Sequence, residues 1–104
     1  MFKDIAIPEA EIAAFCKRWQ VSELALFGSV LRDDFRLDSD IDVLVTFKPV
    51  ASYKLADLQT MEYELRTIFQ RDVDLGERRA VEEDPNYIRR NAILNSAQVI
   101  YAEG

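Results

Sequence analysis

Residues 22–47 read SELALFGSVLRDDFRLDSDIDVLVTF, and two short apolar runs in this stretch decide the fold. The first run (residues 22–27) and the second (residues 41–47) are bounded by polar residues and are predicted as β-strands. Asp40 and Asp42 stand two residues apart at the start of the second run. Because side chains alternate faces along a strand, both acids point the same way, while the apolar residues between and after them face the core. Like charges on one strand face repel each other, so the pattern indicates that a cation lies between them.

A third acid repeats this pattern later in the chain. Asp74 lies between Val73 and Leu75 on a short strand predicted over residues 72–75 (DVDL), which follows a long helix and can return beside the first pair. Carboxylate oxygens are the ligands that Mg²⁺ prefers. Carboxylates on adjacent strands can hold two such ions about 3.5–4 Å apart, the arrangement used for in-line displacement at phosphorus. Asp40, Asp42 and Asp74 are therefore predicted as metal ligands and catalytic residues.

The turn after the first strand supplies a candidate phosphate-binding loop. Gly28 allows the backbone to approach a ligand closely, and the N–H groups that follow, beginning with that of Ser29, can face phosphate oxygens where a helix begins. Arg32, one helical turn from Gly28, can add a charged fork to the same phosphates. Ser39 is predicted to hold the turn before the second strand and is a weaker candidate for nucleotide contact. Each feature alone is weak, because Gly-Ser at a strand end is usually only a turn.

The rest of the chain supplies helices to cover the sheet. A helix is predicted from Pro8, a long one from Ser52 or a neighbouring residue, and a last one from Pro85, with a closing strand over residues 98–101. Residues 1–104 are expected to form a single domain, since this length is close to the commonest domain size. The fold class is α/β (α+β): a small mixed sheet covered by helices.

Composition excludes several kinds of function. The net charge of -6 argues against stable binding to DNA or RNA. The chain has no His, which removes Ser-His and Cys-His dyads and His-based zinc sites. Cys16 is the only cysteine, so no intramolecular disulfide forms. The N-terminus lacks the pattern of a signal peptide and no apolar run is long enough to span a membrane, so we expect a cytoplasmic protein without membrane association.

The motifs together resemble the signature of the polymerase-β-like nucleotidyltransferase superfamily. The match comprises Gly28-Ser29, Arg32, Ser39-Asp40-Ile41-Asp42 and Val73-Asp74-Leu75, and the closing residues 86–101 (NYIRRNAILNSAQVIY) are similar to that family's last helix and strand. More narrowly, the chain resembles the minimal nucleotidyltransferase (MNT) proteins, whose whole length is one such core.

The resemblance implies a reaction and a partner. It implies that the chain binds ATP with Mg²⁺ and transfers AMP to an acceptor. Asp40 and Asp42 would bridge the metal ions, and Asp74 would help to activate the attacking oxygen. Gly28, Ser29 and Arg32 would hold the β- and γ-phosphates. Minimal members pair with HEPN-domain toxins, so the resemblance implies a hetero-oligomer in which this chain is the antitoxin, and some members adenylylate a toxin tyrosine.

Two other functions stay open. Asp33 stands where many members of the family carry glycine, which keeps open a non-catalytic antitoxin that occludes a HEPN toxin and retains only a nucleotide-binding or vestigial site. A transferase that acts on a small acceptor such as an antibiotic is the third hypothesis, although it usually needs an additional acceptor-binding domain. The sequence does not name the nucleotide, the acceptor residue or the partner.

Overall fold

The computed structural model describes residues 7–28 and 40–103 as a four-stranded sheet with helices. In chain order the elements are α1 (Glu9–Arg18), β1 (Val21–Phe27), β2 (Ile41–Phe47), α2 (Leu55–Phe69), β3 (Val73–Glu77), α3 (Arg78–Glu82), α4 (Tyr87–Ser96) and β4 (Gln98–Ala102). The predicted fold class is therefore confirmed. None of the helices in this described part of the chain is long and apolar enough to cross a membrane.

The sheet is mixed, and its strand order is β3-β2-β1-β4. β1 pairs with β2 and with β4 in antiparallel orientation, whereas β2 and β3 run parallel. A parallel pair needs a crossover connection, and α2 provides it between β2 and β3. This crossover brings the start of β3 beside the start of β2.

The hydrophobic core lies on one face of the sheet. Ile41, Val43 and Val45 of β2 are fully buried, as their alternation with Asp42 predicts. They belong to one cluster with the apolar stripe of α1 (Ile12, Phe15 and Cys16) and with two residues of α2 (Met61 and Leu65). Burial raises the pKa of the Cys16 thiol to about 12, which makes this cysteine a core residue and not a nucleophile.

The opposite face of the sheet carries the acids. Asp42 is paired with Phe27 of β1 and with Asp74 of β3, which forms one row across three strands. The next row on this face contains Ala25, Leu44 and Gly76. Ala25 and Leu44 are buried, and α3 packs against β2, β3 and α4. The predicted site is thus placed on the face that α1 and α2 leave uncovered.

Several element boundaries differ from the sequence-based predictions. The sequence indicated no helix between β3 and the last helix, yet α3 forms there as a helix of five residues, three of which are charged. α2 is preceded by Lys54 and not Ser52, because the Asp57 carboxylate accepts a hydrogen bond of 2.8 Å from the Lys54 backbone N–H. The last helix begins at Tyr87, two residues after Pro85, because the Asn86 side chain caps it by accepting the Arg89 N–H at 3.1 Å.

Candidate active site

The central feature of the site is a pair of carboxylates on adjacent parallel strands. Asp42 is the second residue of β2 and Asp74 the second residue of β3, and the two are partners in the strand register. Neighbouring strands lie about 4.8 Å apart, so the two side chains project side by side from the same face. Asp42 is half-buried and Asp74 is exposed. The structure therefore brings together two of the three predicted acids.

Asp40 lies immediately before β2 and is exposed. Its position on the same side as Asp42 stays a prediction from the sequence, because it is not part of the strand. Within residues 7–28 and 40–103, no three His, Cys, Asp or Glu side chains converge as a metal-binding group. The described geometry is thus a register pair, Asp42 and Asp74, and not a closed cage of three carboxylates.

Gly28 lies against the Asp42 carboxylate. Its φ of +77° lies in the left-handed region, where glycine is favoured. A Cβ atom built on Gly28 would lie 2.2 Å from Asp42 Oδ2 and 3.2 Å from Asp42 Cγ. The missing side chain therefore makes room for the Asp42 carboxylate. This is a second reason for glycine here, besides the close approach to a ligand that the sequence suggests.

Three of the predicted nucleotide-binding residues, Ser29, Arg32 and Ser39, lie outside the described residues. Their roles stay predictions from the sequence. What the structure describes is the frame around them: Gly28 at the end of β1 and Asp40 before the start of β2.

The donor set fits a hard divalent cation. Mg²⁺ is commonly bound by one or two carboxylates while it keeps several waters, so a closed protein cage is not required. Asp42 and Asp74 offer carboxylate oxygens only, and the space beside Gly28 is filled by a carboxylate and not by an apolar side chain. The residues are suited to Mg²⁺ and lack the sulfur and imidazole ligands that zinc prefers.

A cleft of about 410 Å³ lies at the end of β2 that is opposite to the paired acids. Its lining includes Phe47, Tyr53 and Glu77. The Tyr53 hydroxyl donates to the Glu77 carboxylate, and the Tyr53 ring stacks on Phe47 with centroids 4.0 Å apart. Burial, and then this hydrogen bond, raises the pKa of Tyr53 to about 12. Three of the four charged residues that line the cleft take part in ion pairs: Lys48 with Glu103, Arg79 with Glu83 and Glu82 with Arg78. The fourth is Glu77, which accepts the hydrogen bond from Tyr53.

Sequence reasoning missed one contact beside the acids. The backbone N–H of Leu75, which follows Asp74, donates to Glu62 Oε2 on α2 at 3.0 Å. Glu62 belongs to no motif. The only feature of the sequence that pointed to this contact is that an acid follows the buried Met61 on a helix that packs on the core.

Comparisons with known proteins give a family and a fold. Residues 11–99 match the family model of the nucleotidyltransferase domain. A comparison with curated proteins finds no match.

The structure is similar to several solved ones. A chain of a toxin–antitoxin complex with AMP-PNP superimposes with a TM-score of 0.69 and 17% identity, covering 93% of this chain and 75% of that chain. A structure described as a minimal nucleotidyltransferase gives a TM-score of 0.64 and 28% identity, covering 86% of both chains. A complex of a tri-AMPylated Shewanella oneidensis HEPN toxin with an MNT antitoxin gives 0.61 and 16%, covering 91% of this chain and 70% of that chain.

Proposed function

This chain belongs to the nucleotidyltransferase domain family, and from that premise we propose that it transfers AMP from ATP to a partner protein in a Mg²⁺-dependent reaction. The observation that carries the proposal is the register pairing of Asp42 with Asp74 beside Gly28. Carboxylates on neighbouring strands are suited to hold a divalent cation, and a cation held there can meet a triphosphate.

In the proposed reaction, an acceptor hydroxyl oxygen forms a bond to the α-phosphorus of ATP. The bond from that phosphorus to the bridging oxygen breaks, and pyrophosphate leaves. Asp40, Asp42 and Asp74 would hold Mg²⁺, which supplies charge neutralisation at the phosphates when bound. Asp74 would also accept the proton of the attacking hydroxyl. Gly28, Ser29 and Arg32 would hold the β- and γ-phosphates, and Ser39 would support the turn that leads to Asp40.

We propose that the acceptor arrives on another protein. Most of the described residues belong to the sheet and its helices. One similar structure is a complex of an MNT antitoxin with an AMPylated HEPN toxin. This likeness supports a HEPN toxin as the partner and this chain as the antitoxin in a hetero-oligomer. We further propose that the acceptor is a tyrosine of the toxin.

Charge and cysteine chemistry support the same picture. The net charge of -6 favours a partner with a basic face over a nucleic acid. The free, buried Cys16 is compatible with the reducing cytoplasm.

The test is a transfer reaction between purified proteins. This chain and a candidate HEPN-domain toxin are incubated with ATP and Mg²⁺, and intact masses are measured. We expect the toxin to gain one or more AMP units with the wild-type chain and none with Asp40→Asn/Asp42→Asn. Glu9→Gln/Glu11→Gln is the matched control, because it removes two exposed acids with the same spacing from α1.

Neutralisation of the toxin separates the two antitoxin hypotheses. If the double Asn variant still neutralises the toxin and the wild type adds no mass, the chain acts by occlusion and the transfer proposal is wrong. Isothermal titration with Mg²⁺ and ATP adds a check that needs no partner, since Asp42→Asn is expected to lose metal-dependent ATP binding while its fold is retained.

A further inference from the structure

β3 is an edge strand, and it carries one of the two paired acids. Among the described strands it has a neighbour only on the β2 side, so its outward backbone groups need other partners. The outward N–H of Leu75 has one, because Glu62 Oε2 accepts it at 3.0 Å. The outward backbone N–H of the residue that directly follows Asp74 is thus hydrogen-bonded.

Glu62 is itself held in place. Its other oxygen, Oε1, accepts a hydrogen bond from Arg66 at 3.0 Å, one helical turn along α2. Its neighbour Met61 is fully buried in the core cluster. Because the Glu62 side chain is only 29% exposed and both of its oxygens are engaged, it forms a fixed brace from α2 to β3.

The brace acts on the peptide plane that joins Asp74 to Leu75. The Leu75 N–H lies in the same plane as the Asp74 carbonyl, so holding this N–H limits rotation about the ψ angle of Asp74. On an edge strand, such a restraint also opposes slippage, and a slip of one residue would turn Asp74 to the core face.

We propose that Glu62 is a positioning residue that keeps the Asp74 carboxylate beside Asp42, so that the pair can bind a divalent cation. The inference rests on the proposed function, since it assumes that Asp74 is a metal ligand. Residues that orient metal ligands through hydrogen bonds contribute to metal affinity without touching the ion.

The test compares variants of Glu62 with variants of Glu64. Glu62→Leu removes the acceptor at similar size, whereas Glu62→Gln keeps an oxygen that can accept the Leu75 N–H. Glu64→Leu is the matched control. The Glu64 side chain lies on the same helix and is 28% exposed, but it accepts hydrogen bonds from Trp19 and Arg18 and not from β3. Amide hydrogen exchange at Leu75, Mn²⁺ affinity of each chain and thermal unfolding are measured.

We expect Glu62→Leu to accelerate exchange of the Leu75 amide by about tenfold or more, because its acceptor is lost. The same variant is expected to weaken Mn²⁺ binding by about tenfold or more. Glu62→Gln should restore most of both properties. Glu64→Leu should lower the unfolding temperature and leave Leu75 exchange and Mn²⁺ affinity close to those of the wild type.

Three results would overturn the inference. Unchanged Leu75 exchange in Glu62→Leu would show that the brace does not form in solution. Faster exchange with unchanged Mn²⁺ affinity, while Asp74→Asn loses affinity, would show that the brace forms but does not position Asp74. If Asp74→Asn itself binds Mn²⁺ like the wild type, the proposed metal site is wrong and the role of Glu62 toward it falls with it, whatever the exchange result.

Discussion

At the scale of single residues, Gly28 has little freedom to change. It combines a positive φ with a Cβ position that is already occupied by Asp42 Oδ2. We expect Gly28→Ala to push the Asp42 carboxylate away and to lower the free energy of unfolding by more than about 1 kcal/mol, since alanine is strained at this φ. Chemical denaturation and Mn²⁺ titration should show both losses.

Gly76 is the matched control for this substitution. It lies in the next row of the same sheet face, but a Cβ there would meet its nearest atom, Leu44 Cδ2, at an ordinary 3.7 Å. Gly76→Ala should therefore leave stability and metal affinity nearly unchanged. If the two alanine variants behave alike, the crowding between Gly28 and Asp42 has no functional consequence.

At the scale of elements, Tyr53 connects the segment before α2 to the end of β3. Its hydroxyl donates to Glu77 while its ring stacks on Phe47. Tyr53→Phe keeps the ring and removes the hydrogen bond, so we expect a loss of about 1 kcal/mol in the free energy of unfolding at pH 7. Tyr63→Phe, at an exposed position on α2, should change little by comparison.

The effect of Tyr53 should depend on pH in one direction. Its pKa rises from 10.0 to about 12 on folding, so the folded protein keeps the phenol proton that the unfolded chain releases above pH 10. The stabilisation is complete below pH 10 and is lost as the pH rises toward 12. Urea unfolding at pH 7, 10.5 and 11.5 (test values of about these magnitudes, bracketing the shift) should therefore show the difference between wild type and Tyr53→Phe shrinking. A constant difference would contradict the assignment.

At the scale of the whole molecule, the paired acids should couple metal binding to global stability. A ligand that binds only the folded state stabilises it by about 1.4 kcal/mol at ten times its dissociation constant. We expect Mg²⁺ to raise the free energy of unfolding of the wild type and to have no such effect on Asp42→Asn/Asp74→Asn.

Glu9→Gln separates this effect from the overall charge of -6. Glu9 is exposed at the start of α1, and its neutralisation changes the net charge without touching the site. This variant should keep the full Mg²⁺ response. An equal Mg²⁺ response in all three chains would mean that the cation acts by screening the whole surface and not by binding the acids.

The sequence by itself determined the parts of this protein that depend on local pattern. The span of β2 and the burial of Ile41, Val43 and Val45 follow from a period of two along one strand. The buried stripe of α1 follows in the same way from helical spacing. The return of Asp74 beside Asp42 was predictable because a long helix between two strands favours a parallel crossover.

Only the tertiary structure decided the contacts between residues that are distant in sequence. The crowding of Gly28 by Asp42 depends on which residue of β2 pairs with Phe27, and that register is set by packing across the whole sheet. The brace from Glu62 to Leu75 depends on how α2 packs against the edge strand β3. Neither contact produces a periodic pattern in the sequence, because each joins one side chain to one backbone position. The packing of the core brings the two groups of each contact together.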